Sequence, residues 1–296
     1  MLSALTYEEK ERFGKDGYLV VKKAVTESQL TGLQHEIKDW IKESRNHTEP
    51  FGKPTIDGRP RFDMGTDHTA LNPTLRRINN PSDISEHYFK VMSHSKMVDM
   101  VVDLVGENIK FHHCKINLKC PGANTTVHYH QDFAFTPHSN DDVVTALLML
   151  DDVTESNGCL MVVPGSHKEK IYSLYKDEIF VGKVDDAAEE SLQNRQVPVT
   201  GSSGDVCLMH TRLAHGSAPN HSKNSRGLYI CVYSAADAVP LAKNPMPSLN
   251  EGLIVRGKQT LSARMINLEV ELPKQPKSAS FFTVQGQSSA TTATTK

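Results

Sequence analysis

Val127-His128-Tyr129-His130-Gln131-Asp132-Phe133 alternates imidazole and carboxylate side chains with apolar or aromatic ones. Because successive side chains of a β-strand point to opposite faces, His128, His130 and Asp132 are expected to share one face of a strand. A histidine and an aspartate two positions apart on a strand can both reach one metal ion. His130 and Asp132 are therefore candidates for two ligands of a 2-His-1-carboxylate triad, which holds Fe(II) with positions left open. A His-x-Asp triplet also arises by chance, so the rest of the chain has to supply the third ligand.

The composition is that of an ordinary globular protein. Of 296 residues, 38% are hydrophobic and 23% are charged. The 33 basic and 35 acidic residues give a formal net charge of -2, which does not favour nucleic acid or an anionic membrane as the main partner. No apolar run is long enough to span a membrane. A small-molecule substrate is the expected partner, and the oligomeric state stays open.

The two ends and the cysteines favour a cytoplasmic location. The first ten residues lack the apolar core of a secretion signal, and the last three are not a peroxisomal address. The five cysteines are odd in number and have no CxxC spacing, so neither a disulfide framework nor a zinc ribbon is indicated.

The N-terminal part reads as helical. Thr6 and Thr26 each begin a stretch with capping-box spacing, which predicts one helix ending near Asp16 and another of roughly 18 residues. Between them, residues 18–21 read as a strand. Residues 45–82 are polar and rich in Pro and Gly, which is typical of a long loop or lid, and residues 84–105 read as one amphipathic helix.

After Gly106 the pattern changes to short strands separated by turns. The predicted strands cover residues 109–118, 127–133, 143–150, 159–163, 197–199, 205–209 and 227–233. Many short strands with Gly- and Pro-containing turns are typical of a sandwich or barrel. On the first of these strands, alternation places Lys115 and Asn117 on one face and sends the adjacent His112 and His113 to opposite faces.

Four segments then stand in a fixed order along the chain. They are His130-Gln131-Asp132, Asn157-Gly158-Cys159-Leu160, Val163-Pro164-Gly165-Ser166-His167, and His215-Gly216-Ser217 with Arg226 eleven residues after His215. In this order, over residues 8–235, they resemble the phytanoyl-CoA hydroxylase-like family of Fe(II)- and 2-oxoglutarate-dependent dioxygenases, which includes ectoine hydroxylase.

The resemblance implies that His130, Asp132 and His215 bind Fe(II). It also implies that Arg226 and Ser217 hold the far carboxylate of the co-substrate 2-oxoglutarate, with O2 as second co-substrate. The chemistry fits, because a carboxylate at the end of a narrow pocket needs a charge partner, and the planar fork of Arg matches it bidentately. By similarity to ectoine hydroxylase, Asn117 contacts the inner carboxylate. Lys115, on the same face, can stabilise its charge.

Other residues remain alternatives. His210 and His221 compete with His215 as third ligand, although the first reads as a core residue at a strand end and the second as a solvated loop residue. His128 is expected to line the pocket rather than ligate. Arg212 is either a substrate contact or a solvated arginine.

A cationic stretch lies in the predicted lid. Arg59-Pro60-Arg61-Phe62 either meets an anionic group of the substrate or carries ordinary surface charge. Residues 45–75 of the lid and residues 236–270 are expected to choose among substrates.

The expected fold is mainly β with flanking helices, built on a double-stranded β-helix (jelly-roll or cupin core). Residues 107–235 form the core, residues 1–106 an N-terminal helical buttress and lid in the same domain, and residues 236–277 a C-terminal extension. Residues 278–296, rich in Ser, Thr, Ala and Gln, are predicted to be disordered.

The expected function is hydroxylation of an unactivated C–H bond of a small organic substrate, with succinate and CO2 as co-products. A non-catalytic cupin-like metal-binding module is one alternative. A non-haem iron halogenase is another, but these enzymes replace the carboxylate ligand by a small residue and Asp132 is present. The substrate class stays open among amino acids, osmolytes, phosphonates, and lipid or terpenoid acids.

Overall fold

The computed structural model describes residues 3–123, 125–274 and 284–285. Over these residues the chain builds two main antiparallel sheets, with helices against the larger one, and a separate two-stranded sheet of Tyr175–Lys176 and Ile179–Phe180. The helices are α1 (Tyr7–Asp16), α2 (Glu27–Ser44), α3 (Glu86–His94), α4 (Lys96–Val105), α5 (Asp132–Phe135) and α6 (Asp186–Gln193). The strands are β1 (Tyr18–Val21), β2 (Phe62–Met64), β3 (Leu75–Asn79), β4 (Ile109–Lys119), β5 (Val127–His130), β6 (Val143–Met149), β7 (Leu160–Val162), β8 (Tyr175–Lys176), β9 (Ile179–Phe180), β10 (Val197–Val199), β11 (Val206–His210), β12 (His215–Ser217), β13 (Arg226–Ala235) and β14 (Ile254–Arg256).

Both predicted capping boxes are confirmed. The Thr6 side chain accepts from the backbone N–H of Glu9, and the Glu9 carboxylate accepts from the N–H of Thr6. Thr26 and Gln29 repeat the arrangement at the start of α2. Gly17 ends α1 with a left-handed φ of 81°, a backbone conformation that glycine adopts at little cost.

Two sequence predictions before residue 106 are wrong. The single helix over residues 84–105 is broken at Ser95, whose extended backbone separates α3 from α4. The predicted lid, residues 45–82, contains β2 and β3. β3 pairs with β4 and so extends the larger sheet, which brings Arg77 into the protein interior.

The two sheets pack face to face. The larger has the order β1-β11-β6-β13-β4-β3-β2, with β14 also paired to β4, and the smaller has the order β10-β7-β12-β5. A shared apolar cluster joins them, in which Leu147, Met209 and Ile230 of the larger sheet pack with Val162 and Val199 of the smaller. This is the expected jelly-roll core, with strands of both sheets facing a common interior.

The larger sheet is covered on its other face by the N-terminal helices. Leu33, Tyr88, Met92 and Met100 of these helices lie in one buried cluster with sheet residues such as Tyr229.

The predicted domain boundaries stay predictions, and most of the predicted disordered tail lies outside the described residues. None of the helices among the residues described above is both long and apolar enough to cross a membrane.

Candidate active site

His130, Asp132 and His215 come together between the sheets. Their ligand atoms all lie within 4.8 Å of one another. Nε2 of His130 lies 3.6 Å from Oδ1 of Asp132, and Nε2 of His215 lies 3.7 Å from the same oxygen. The two histidines are direct partners across the β5–β12 pairing. His130 at the end of β5, Asp132 just after that strand and His215 at the start of β12 therefore surround a common point.

Asp132 reaches this point differently from the prediction. β5 ends at His130, and Asp132 begins the short helix α5, so the three alternating residues do not share a strand face. A register shift in the β5–β12 pairing, between Val127 and His130, also breaks the alternation within β5, and Nδ1 of His128 lies 2.9 Å from Oε1 of Glu189 in α6. The expectation that His128 faces the pocket is wrong.

Backbone carbonyls fix both histidine rings. Nδ1 of His130 lies 2.8 Å from the carbonyl oxygen of His128, and Nδ1 of His215 lies 2.9 Å from that of Leu213. Since a carbonyl can only accept, each Nδ1 carries a proton, and Nε2 is the nitrogen that each ring turns toward Asp132. This is the arrangement by which outer hydrogen bonds orient metal-binding histidines.

The carboxylate is held in the same manner. The hydroxyl of Thr145, in β6, donates to Oδ2 of Asp132 at 2.8 Å, which leaves Oδ1 on the side of the two Nε2 atoms. Burial alone would raise the pKa of Asp132, but the neighbouring His215, His130 and Lys115 outweigh burial and lower the pKa. Burial and the nearby His130 lower the pKa of His215 to about 4. A carboxylate with two imidazoles is the donor set that fits Fe(II).

A second group of residues lies deeper between the sheets. Arg226, at the start of β13, and Ser217, at the end of β12, line a cavity that also reaches the triad. Arg226 is 3% exposed, and its Nε donates to the carbonyl oxygen of Gly158 at 3.1 Å. Arg226, Ser217 and the triad, which the resemblance assigned to one site, thus line one cavity.

Lys119 is a member of this group that sequence reasoning missed. Its Nζ donates to Oγ of Ser217 at 2.8 Å and also to the carbonyl oxygen of Ala218. Burial, followed by the nearby charge of Arg226, lowers the pKa of Lys119 to about 6. Lys119 lies at the end of β4, directly opposite Arg226 in β13. Only this pairing, which the sequence does not display, could have identified it.

The Asn157-Gly158 segment has a structural role at this cavity. Gly158 has a φ of 81°, and a Cβ there would lie 2.7 Å from the carbonyl oxygen of Ala218 and 2.9 Å from Cδ of Lys119. Glycine thus lets the turn approach close enough for its carbonyl to hold Arg226. Similarly, the Ser166 hydroxyl accepts from the N–H of Ala214 and fixes the backbone just before His215.

Asn117 and Lys115 both line the inner cavity. Oδ1 of Asn117 accepts from Nε of Arg77 at 3.0 Å, which leaves its amide N–H groups for another partner. Burial and the neighbouring Arg77 lower the pKa of Lys115 to about 8. The predicted contacts of these residues with the inner carboxylate of the co-substrate stay predictions.

A second cavity, of about 70 Å³, lies on the other side of His130 and Asp132. Arg59, Arg77 and Lys115 line it with cationic side chains, and aromatic rings such as Phe135 form part of its apolar wall. Arg59 comes from the predicted lid, whereas Pro245 and Met246 come from the segment after β13. Both segments that were expected to select the substrate therefore contribute to this cavity.

The adjacent pair His112 and His113 corrects a sequence prediction. His113 pairs with Val232 and Phe111 with Tyr233, so His112 is an extra residue in β4. Such a bulge breaks the alternation of side chains. The two Nδ1 atoms lie 2.7 Å apart instead of pointing to opposite faces, and His113 lines the second cavity.

The remaining alternatives lie away from the triad. His210 accepts from the N–H of Arg212 at 3.1 Å, and His221 is exposed. Arg212 is neither a cavity residue nor simply solvated, because its Nη1 pairs with Asp141 at 2.7 Å. Arg61 is buried against Asp83 at 3.2 Å, so it is neither a substrate contact nor surface charge.

Comparison with known proteins gives one family. The model described as phytanoyl-CoA dioxygenase (PhyH) matches residues 13–228. A probable alpha-ketoglutarate-dependent hypophosphite dioxygenase of Stutzerimonas stutzeri is 38% identical over 205 residues, which cover 67% of this chain and 71% of the relative. Peroxisomal phytanoyl-CoA dioxygenase of Homo sapiens is 26% identical over 244 residues, covering 79% and 70%.

Solved structures agree on the fold. EctD from S. alaskensis, in its apoform, aligns with a TM-score of 0.67 at 19% identity and covers 88% of this chain and 89% of its own. The same protein has been solved with bound Fe, and with 2-oxoglutarate and 5-hydroxyectoine.

Proposed function

Because the chain belongs to the phytanoyl-CoA dioxygenase (PhyH) family, we propose that His130, Asp132 and His215 hold the Fe(II) of a 2-oxoglutarate-dependent dioxygenase. The observation that carries the assignment is the orientation of the three side chains. Each histidine has its Nδ1 tied to a carbonyl oxygen, and Asp132 has one oxygen tied to Thr145. The two Nε2 atoms and Oδ1 of Asp132 are thereby directed at one point before any metal arrives.

The co-substrate end follows from charge. 2-Oxoglutarate is a dicarboxylate. Arg226 and Ser217 line the inner cavity with a guanidinium and a hydroxyl, and Nζ of the buried Lys119 donates to Oγ of Ser217. A buried carboxylate needs such partners to offset its desolvation. We assign the far carboxylate to these three residues and the inner carboxylate to the metal, beside Asn117.

The reaction of such an enzyme is a coupled oxidation. Substrate–H, 2-oxoglutarate and O2 give substrate–OH, succinate and CO2, and the bound Fe(II) supplies the activation of O2. The side chains bind and orient the reactants and exclude water from the interior of the jelly roll. The side chains form no covalent bond with the substrate or with 2-oxoglutarate.

The rival functions explain less of the site. A halogenase needs the position of the carboxylate ligand for its halide, and here Asp132 fills that position and is fixed by Thr145. A metal-binding module would use the triad but has no need for a buried Arg226–Lys119–Ser217 group. Hydroxylation accounts for both.

The names of the relatives leave the substrate open. One acts on hypophosphite and another on an acyl-CoA, and these molecules share no skeleton. What these relatives share is that the substrate is a small molecule. Cytoplasmic location and the absence of nucleic-acid or membrane partners stay predictions from the sequence.

Anaerobic titration of 2-oxoglutarate into the Fe(II)-loaded protein tests the assignment. Chelation of the metal by the co-substrate gives a visible charge-transfer band, which we expect in the wild type. His215→Ala should lose iron binding and the band, whereas the matched variant His210→Ala should keep both. A wild type without the band, or the reverse behaviour of the two variants, would overturn the proposal.

A further inference from the structure

The cavity of about 70 Å³ beside the triad has an unusual balance of charge. Arg59, Arg77 and Lys115 line it, while Asp132 is the one carboxylate among the described residues that do so. If the proposed function holds, the charge of Fe(II) is balanced by Asp132 and by the inner carboxylate of 2-oxoglutarate. Arg59 keeps its ion pair with Asp57, which leaves the charge of Lys115 without an anion.

Arg77 can be shared between the two cavities. It lines both of them and donates to Asn117. It is 7% exposed, and although burial lowers its pKa to about 10, it stays charged at neutral pH. Lys115 also lines both cavities, whereas Arg59 lines the outer one and not the inner one.

Lys115 has the weakest compensation of the three. Across the described part of the chain, its ammonium makes neither a hydrogen bond nor an ion pair. An interior ammonium without such partners is costly, and proteins rarely keep one without a use for it. Its position on β4, between the two cavities, places the charge next to the reacting centre.

Arg59 closes the outer end. Its guanidinium pairs with Asp57, through Nε at 2.8 Å and Nη2 at 2.5 Å, and Nη2 also donates to the carbonyl oxygen of Pro245. These bonds hold the guanidinium over the cavity and leave Nη1 without a partner within the described ranges. A rigid planar donor at the mouth of a small cavity suits an oxyanion.

Neutral groups fill the rest of the wall. Burial lowers the pKa of His113 to about 3, so this ring offers a neutral polar edge rather than a further cation. Phe135 and Phe180 cover the apolar side, with ring centroids 5.6 Å apart. A cationic wall opposite an apolar one orients a molecule that has a charged head and a small apolar remainder.

We propose that this cavity binds a compact oxyanion as the substrate, held by Lys115 and Arg59, with its C–H or P–H bond presented to the metal beside Asp132. The inference rests on the proposed function and names its substrate class. Oxidation replaces that hydrogen by hydroxyl, with 2-oxoglutarate and O2 consumed as in the reaction above. The cavity volume favours a head group with few attached atoms.

Binding in the absence of O2 tests the proposal without turnover. Methylphosphonate is titrated into the Fe(II)- and 2-oxoglutarate-loaded protein, by calorimetry and by the shift of the charge-transfer band. Its neutral diester, dimethyl methylphosphonate, is the uncharged control ligand. Acetate and methanesulfonate show whether a carboxylate or a sulfonate head group binds in place of the phosphonate. We expect at least one anion to bind at least about tenfold more tightly than the diester, the worth of one modest ion pair.

Two variants locate the anion. Lys115→Met should weaken binding of that anion at least about tenfold, and Arg59→Gln by a smaller factor because Arg59 is partly exposed. Lys110→Met and Arg76→Gln are the controls, since Lys110 donates to Ala236 and Arg76 pairs with Asp63. Both controls should bind the anion like the wild type.

The outcomes separate the two levels of inference. Absence of the charge-transfer band before any anion is added contradicts the proposed function. A normal band with no preference for an anion over the diester overturns the substrate class alone. A Lys115→Met variant that loses affinity for 2-oxoglutarate but not for the anion would assign this lysine to the co-substrate and also overturn the proposal.

Discussion

The Thr145 hydroxyl donates to Oδ2 of Asp132 at 2.8 Å, and this single bond decides which carboxylate oxygen faces the two histidines. Thr145→Val keeps the shape of the side chain and removes the donor. We expect iron affinity to fall by about 10–100-fold, as for other outer partners of metal ligands, with little change in the fold. Thr145→Ser should recover most of the affinity. Competition with a calibrated Fe(II) chelator measures both.

The second prediction concerns Arg226. Removing one partner of a buried ion pair costs about 3–5 kcal/mol, which corresponds to a factor of hundreds or more in affinity. Arg226→Ala should therefore raise the dissociation constant of 2-oxoglutarate by about a hundredfold or more. Arg226→Lys should recover only part, because an ammonium cannot form two parallel hydrogen bonds with a carboxylate. Iron affinity, measured in the same samples, should stay unchanged; equal binding of 2-oxoglutarate by Arg226→Ala would refute the assignment.

The lowered pKa of Lys119 predicts how the affinity for 2-oxoglutarate depends on pH. Its pKa is lowered to about 6 by burial and then by Arg226, so above that pH it is largely neutral in the free protein. A bound carboxylate favours the charged form, and binding therefore takes up a proton. Affinity should be highest below pH 6 and fall as pH rises, by at most about tenfold per pH unit.

Lys119→Met supplies the control for that prediction. The variant should bind 2-oxoglutarate more weakly than the wild type at pH 6, with a nearly flat profile between pH 6 and 8.5. Calorimetry in two buffers of different ionisation enthalpy counts the protons directly. A wild type that takes up no proton would exclude Lys119 from the site.

Gly158→Ala tests the close approach of the turn. The added Cβ would meet the carbonyl oxygen of Ala218 at 2.7 Å in a backbone with positive φ. We expect a loss of about 1–3 kcal/mol in unfolding free energy and weaker binding of 2-oxoglutarate, because the Gly158 carbonyl holds Arg226. Gly122→Ala is the matched variant, with a φ of 72° and open space around it. Similar melting temperatures for the two variants would contradict the argument.

Local signals in the sequence predicted much of this molecule. Capping boxes and short strands depend on neighbouring residues, so the caps Thr6 and Thr26, the start of β6 and both ends of β10 were correctly anticipated. The triad was proposed from the order of the motifs along the chain. What failed depends on backbone geometry that propensity does not encode, such as the extended Ser95 between two helices and the extra His112 in β4.

Residues whose role depends on pairing across strands were the ones missed. Lys119 gains its role from its neighbours Arg226 and Ser217. Arg77 lies in a stretch so polar that it read as loop, and only its pairing with Asn117 carries it inside. Long-range register decides both, and a single sequence does not display register.

The direct pairing of His130 with His215 across β5 and β12 also has a consequence for how the protein is made. The two strands are far apart in the chain, so a ribosome-bound fragment that ends before β12 carries only His130 and Asp132. Such a fragment has too few ligands to retain Fe(II). We expect iron to enter only after the smaller sheet has closed, which keeps a redox-active metal away from unfinished chains.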